Sequence, residues 1–460
     1  MGNLLLPRTT ATWQNWSGNA RARPARLVRP KREAAIAALV ADAARQGQTV
    51  RAAGTGHSFN PLACTSGLLL DLRLCAGVVR IDREAAQVTV RPGTSLWQLA
   101  ATLDQAGLAL GNLGTLAGQT VAGALSTGTH GTGIRHRPFA DQVTALRLVT
   151  ADGSVLTLDR GSDPDTFRCA RTALGALGII TEVTLACVAR YSLRATTHAA
   201  PLDGLLDRFD EWSQSADHVA FSWQPWADRV CVRSLSRSSE PKTPGAARHR
   251  YLATLSETRC GLAGLAGRKR PAAVPRLVGR IAGQGQQATH YVDVSYRAFT
   301  FPQPVKFLAM EHALPLENVP AGVRALRGAL RRAGHNSPYS VLVRVGAPDD
   351  APLSPAYGRR TGYVNLTVPR TAGYIELLRL AEHIALELDG RPHWGKAHTA
   401  TAEVLAPRYP EWATFQRVRA QLDPGGLFSN DYIDRVLGRT AMATDTGDGH
   451  QGRVPARGGG

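Results

Sequence analysis

From Arg32 the segment REAAIAALVADAARQG sets Ile36, Leu39, Val40 and Ala43 at helical spacing, with Gly47 placed to end the turn. This spacing predicts a helix with one buried face. Thr49 to Ala53 predicts a short strand entering Gly54-Thr55-Gly56, and the apolar run after Gly67 predicts a second, buried strand. After a strand at 87–90 and the Pro92-Gly93 turn, Ser95 and Gln98 have the spacing of a capping box. It stands ahead of Leu96, Leu99, Ala100 and Leu103, and Gly107 stops that second helix. The alternating runs from Val143 and Ser154 flank Ala151-Asp152-Gly153 as a hairpin, followed by a helix from about Asp165 and a strand from Ile179.

These elements close an α+β domain near residue 190. Beyond it strand and helix signals mix. The Pro- and Arg-rich stretch 240–280 reads as a long loop or a poorly ordered insertion, and the aperiodic Gly-, Asp- and Arg-rich end from Thr440 reads as a disordered tail. The chain shows no internal repeat.

At 460 residues, 43% hydrophobic and 20% charged, the chain can bury a large core in two or three domains. Its net charge of +18 is the one feature that favours a nucleic-acid partner. The excess is spread from Arg8 to Arg457 with no recognition motif, so it reads as an Arg-biased surface and no nucleic-acid binding is expected. The six cysteines form no C-x-x-C and have no metal-ligand spacing, so thiols in a reducing compartment and no metal are expected. The N-terminal apolar stretch is too short for a secretory segment, and no run is long enough to span a membrane. A cytoplasmic protein without membrane association is the expectation.

Two glycine-rich segments carry the candidate chemistry. In Arg51-AAGTGHSFN a strand runs into two glycines, whose backbone N–H groups can approach a pyrophosphate closely. It is not a dinucleotide fingerprint, because the third glycine would fall at Phe59. The nearly uncharged segment from Gly111 to Gly133 leaves amides and hydroxyls uncovered beside a large flat ligand, and its small residues argue against a core. A serine hydrolase is excluded, since Ser126 lies in G-x-x-S-x-G and offers no nucleophile elbow. In Arg391-PHWGKAHT a histidine, an aromatic and a lysine fall within four residues, where Lys396 can set a cation beside developing negative charge.

With RAAGTGHSFN and VAGALSTGTHGTG in this order, followed by LGALGIITEVTL, Met310-Glu311, Leu353-SPAYGR, His393-WGK and Leu422-DPGGLFSND, the chain resembles the FAD-linked oxidases of the vanillyl-alcohol-oxidase type. The nearest likeness is the aldonolactone oxidase branch, which comprises arabinono-, gulono- and galactonolactone oxidases with alditol oxidase. It covers roughly residues 12 to 437.

The resemblance implies a two-subdomain FAD-binding domain at 12–190, a substrate (cap) domain with an antiparallel sheet at 191–390, and a segment at 391–437 returning to the flavin. The tail would be 438–460. FAD would be held by Ala53, Gly54, Thr55, Gly56, His57 and Ser58, by Gly114 and Thr115, and by Ser126, Thr127, Gly128, Thr129, His130, Gly131 and Gly133, with Ile180 and His393 beside them. His57 is the implied covalent attachment site, and His130 would orient backbone around the pyrophosphate. Lys396, Arg344, Glu311 and Thr367 are the implied catalytic residues. The implied reaction passes a hydride from a sugar-derived lactone to flavin N5, with molecular oxygen as acceptor and hydrogen peroxide as product. A polyol substrate or another electron acceptor is the alternative.

Three positions depart from relatives. Leu342 stands where a Glu-x-Arg pair would have its glutamate, which makes Glu311 the candidate substitute. Ala124 and Asn365 replace a serine and a histidine of alditol oxidase, which favours a lactone over a polyol. Gly114 stands where a dehydrogenase relative has an alanine that shields the flavin from oxygen, and glycine leaves that path open.

Overall fold

In the computed structural model, residues 11–267, 273–283, 288–369 and 374–440 are described. The expected tail lies almost wholly outside them. The first helix is Glu33–Arg45 and buries Ile36, Val40 and Ala43, so the 3.6-residue spacing alone defines its inner face. The second, Leu96–Gln105, begins on the expected capping box, in which the Ser95 hydroxyl accepts from the Gln98 N–H and the Gln98 side chain accepts from the Ser95 N–H. Such a cap contributes about 1 kcal/mol. Gly107 at φ +80° ends it.

Three strands, Arg26–Val28, Leu68–Asp71 and Val50–Ala53, form a parallel sheet with Leu68–Asp71 in the centre. All four residues of the central strand are buried, as a strand covered on both faces requires. A second sheet of five strands contains the hairpin Val143–Val149 and Val155–Asp159, with Ile179–Ala186 on its other side.

From Ser192 onward the chain builds an eight-stranded sheet in which every pairing is antiparallel. Toward one edge of it Val341–Gly346, Thr361–Val368 and Leu308–Pro315 lie side by side. One face of these strands carries Met310, Leu314, Val341, Val343, Val345 and Leu366, which pack with the helices Val319–Arg332 and Tyr374–Glu387. Period-2 alternation therefore sends Glu311, Arg344, Tyr363, Asn365 and Thr367 to the opposite face.

Two expectations are corrected. The stretch 240–280 is not one long loop: Ala246–Gly267 and Val274–Gly283 are helices, and Ala263, Val274 and Val278 are buried against each other. Proline at 275 occupies the first turn of its helix, where no intrahelical N–H is lost, so the proline count misled. Nor is the segment 111–133 free of core. Leu113, Ala117, Val121, Ala122, Ala124 and Leu125 are buried in the largest cluster, and Val121–Ser126 is a short helix whose small residues permit close packing.

Candidate active site

A cleft of about 890 Å³, part of it open to solvent, lies where the parallel sheet meets the glycine-rich segments. Of the residues expected to hold FAD, Ala53, Gly54, Thr55, Gly56, His57, Ser58, Ser126, Thr127 and Ile180 line it, together with Asn60, Gln119, Thr120, Gly175 and Gly178, which sequence reasoning did not single out. Asn60 and the two glycines belong to the GHSFN and LGALGI motifs, so their signal lies in the sequence. Gln119 and Thr120 lie in the nearly uncharged segment from Gly111 to Gly133, just ahead of the VAGALSTGTHGTG motif.

The cleft fits a FAD. A Cβ on Gly54 would stand 2.1 Å from the Thr120 hydroxyl oxygen, so only glycine brings this backbone so near the opposite wall. Gly56, at φ +73°, turns the chain so that His57 faces the cleft. Buried His57 Nδ1 has no hydrogen-bond partner among the described residues. Burial, with Lys396 nearby, depresses its imidazole to about 4, so the ring is neutral at physiological pH and keeps a free nitrogen lone pair.

The remaining expected cofactor residues lie outside the cleft lining. Gly131 packs on the Asn112 side chain, and Gly133 (φ +116°) donates its N–H to the Val345 carbonyl at 2.8 Å. Thr132 donates to the Val219 carbonyl and accepts from the Val345 N–H at 3.2 Å. This second half of the loop therefore joins the eight-stranded sheet. Gly114 and Thr115 sit behind it, and Gly128 and Thr129 lead into it. His130 departs from its expected role: its ring is buried, stacks on Tyr363 at 3.4 Å between centroids, and meets the Glu311 carboxylate through Nε2. The sequence places it among glycines, whereas the fold carries it onto the polar face of the sheet.

That face assembles the chemistry. Glu311 is fully buried; its Oε1 faces His130 and its Oε2 accepts from Arg344 Nη2 at 2.9 Å. Lys396 Nζ stands 4.0 Å from the same Oε2 and 5.1 Å from the centroid of the Phe59 ring. Despite burial, the cations of Arg344 and Lys396 with His130 hold Glu311 well below the usual carboxylate range. Burial lowers Lys396 itself, against the pull of Glu311. Strand register explains the unexpected Leu342: Glu311 and Leu342 both pair with Asn365, one on each side, so Glu311 supplies a carboxylate to Arg344 from two strands away.

Asn365 donates to Thr367 Oγ1 at 3.0 Å, while its Oδ1 and Arg344 Nε are buried without a partner among the described residues. Two unsatisfied polar atoms on one face are what a bound polyhydroxylated molecule would satisfy. His130, Glu311 and His393 offer three ligand atoms within 4.8 Å. Both carboxylate oxygens are already committed, and two cations flank them, which opposes a divalent ion.

The two halves of the site are tied by backbone. Asn60 Nδ2 donates to the carbonyls of Trp394 and Lys396 at 2.7 and 2.9 Å, and the Phe59 N–H donates to the Gly395 carbonyl. His393 donates its N–H to the Glu311 carbonyl at 2.9 Å and is held down to about 3 by burial. The turn His393–Lys396 is thus fixed between the His57 loop and the Glu311 strand.

Comparison with known proteins agrees. A family model described as D-arabinono-1,4-lactone oxidase matches residues 183–436, and one described as FAD binding domain matches residues 24–159. An L-gulono-1,4-lactone dehydrogenase of Mycobacterium tuberculosis is 38% identical over 93% of this chain and 99% of its own. The L-gulonolactone oxidase of Bos taurus is 31% identical over 92% and 98%, and an alditol oxidase of Streptomyces sp. is 30% identical over 92% and 98%. A crystal structure of cholesterol oxidase from B. sterolicum superposes with a TM-score of 0.79 over 95% of this chain and 99% of the other at 17% identity, a likeness of fold. With a family model matched over more than half of its length, and relatives matched along nearly their whole length, this chain belongs to the D-arabinono-1,4-lactone oxidase family of FAD-dependent oxidoreductases acting on CH–OH donors.

Proposed function

We propose that this protein oxidises a sugar-derived 1,4-lactone of the arabinono or gulono type, with FAD joined covalently to His57 and oxygen as the final acceptor. The observation that carries the reading is the cluster of Arg344, Lys396 and Glu311 beside the unsatisfied Asn365 Oδ1, reached from the His57 loop. Bound FAD supplies the two-electron acceptor. Arg344 and Asn365 bind and orient the oxygens of the lactone. Lys396, as a cation, stabilises negative charge developing in the site, and the proton of the reacting hydroxyl leaves to a nearby base or water. Fully buried Ala124 carries no polar group for a polyol, which supports the lactone.

A panel of aldonolactones and alditols, scored by peroxide release, tests the substrate. Lactone turnover at least tenfold above any polyol is expected, and the reverse order would overturn the reading. Gly114 tests the acceptor. A Cβ there would lie 3.1 Å from the His130 carbonyl oxygen and 3.3 Å from Thr129 Cγ2, so alanine fits with a shift of a few tenths of an ångström. Gly114→Ala should fold, keep its turnover with an artificial acceptor and lose at least about tenfold of its oxygen turnover, a difference of about 1.4 kcal/mol in barrier.

Covalency is read by acid precipitation. Yellow colour should stay with the wild-type pellet and leave with the supernatant from His57→Ala. Colour released by the wild type would remove the bond from the proposal and leave the rest standing.

A further inference from the structure

Both ring nitrogens of His130 face acceptors. Nδ1 stands 2.9 Å from the Gly131 carbonyl oxygen, which can only accept, and Nε2 faces Glu311 Oε1. A neutral His130 ring beside a bare Glu311 carboxylate has one N–H for these two acceptors, so in either tautomer a lone pair confronts Glu311 Oε1 or the Gly131 carbonyl oxygen in a buried contact. Both contacts are satisfied only if Nδ1–H is donated to Gly131 and a second proton lies between Nε2 and Glu311, written as imidazolium with carboxylate or as neutral imidazole with carboxylic acid. Turning the ring over would set carbon atoms against both acceptors and does not help. With the ring stacked on Tyr363 and both residues buried, water cannot relieve the contact.

We propose that His130 and Glu311 share a single proton, so that His130 is a positioning residue which keeps Glu311 short of a free negative charge and thereby sets the protonation of Lys396. The charged and titratable groups facing the pair are Arg344, Lys396, His393, Tyr363 and His312, the last lowered to about 4 by burial. Arg344 remains a cation. Burial keeps His393 neutral, and Tyr363 is pushed well above its ordinary range. Lys396, 4.0 Å from Glu311 Oε2, is then the neighbouring group left to titrate, and the shared proton decides how strongly Glu311 favours its ammonium form. The inference depends on the proposed function only in the use made of Lys396 during turnover.

Opposite shifts from two variants test it. His130→Gln can still donate to Glu311 Oε1 but cannot share a proton, so Glu311 becomes a full carboxylate and the Lys396 pKa should rise by about one unit or more. Glu311→Gln removes the carboxylate altogether, so the Lys396 pKa should fall. The chain has only five lysines, so reductive ¹³C-methylation followed by an NMR titration reads Lys396 directly, assigned by its loss in Lys396→Arg. The basic limb of the kcat/KM profile of the holoenzyme should move in the same directions. Shifts of the same sign, or an unmoved Lys396 in His130→Gln, would overturn the shared proton. A titration that behaves as expected beside an unmoved kcat/KM limb would keep the dyad and instead remove Lys396 from the proposed chemistry. Should either variant fail to fold, His130→Asn and Glu311→Ala carry the same two predictions.

Discussion

Lys396→Met should retain its flavin and its KM within a few-fold while kcat falls by about a thousandfold, on the order of 4 kcal/mol of barrier. Methionine preserves the length and the apolar stem, so the packing of the side chain near Phe59 survives. What is lost is a desolvated cation 4.0 Å from Glu311. In a buried site that charge acts at low effective dielectric and is worth far more than a surface ion pair. Lys396→Arg should recover little, because a planar guanidinium cannot replace a compact ammonium in a turn held by Asn60 and Phe59. Stopped-flow reduction by the preferred lactone is the measurement, and a variant within tenfold of wild type would take Lys396 out of the chemistry.

Local pattern and motif reached most of the N-terminal half. The spacing of Ile36, Val40 and Ala43, the Ser95/Gln98 cap and the Gly153 turn each act over a few residues, and each has one physical outcome. The helices at Ala246–Gly267 and Val274–Gly283 were not legible in that way. Their arginines and the prolines in and around them resemble loop composition, and their mutual burial is a tertiary fact. The site divides along the same line. His57 and Lys396 could be named from motifs, but the contact of His130 with Glu311 joins residues 181 apart and follows from strand register. Register also explains how a leucine at 342 is compatible with an arginine at 344 that still needs a carboxylate. No spacing along the chain contains the path Glu311–Asn365–Leu342, which exists only across three strands.

Arg51 should be the most destabilising single position in the N-terminal half. It is 3% exposed, and its guanidinium donates to four carbonyls: Leu62 at 2.9 Å, Leu174 at 2.7 Å, Gly175 at 3.1 Å and Phe428 at 2.5 Å. Leu174, at φ +56°, and Gly175, at φ +67°, adopt a strained turn that aims both carbonyls at this one side chain. Burial lowers the guanidinium to about 10, which still leaves it charged at neutral pH. Arg51→Met fills much of the same volume but leaves four buried acceptors without their donor, at roughly 1 kcal/mol or more each. Relief from desolvating the charge offsets part of this, so a net loss of about 3 kcal/mol is expected. The loss should not stay local, since the four carbonyls come from segments that wall the cleft and from the C-terminal stretch whose Leu427 carbonyl accepts from Val50. Arg51→Met should therefore unfold at lower denaturant and bind FAD more weakly, whereas Arg51→Lys, with three donors, should fall between it and wild type. Equal denaturant midpoints for wild type and Arg51→Met would show that these carbonyls find other partners, and that the guanidinium does not hold the turn at Leu174–Gly175 against the cleft.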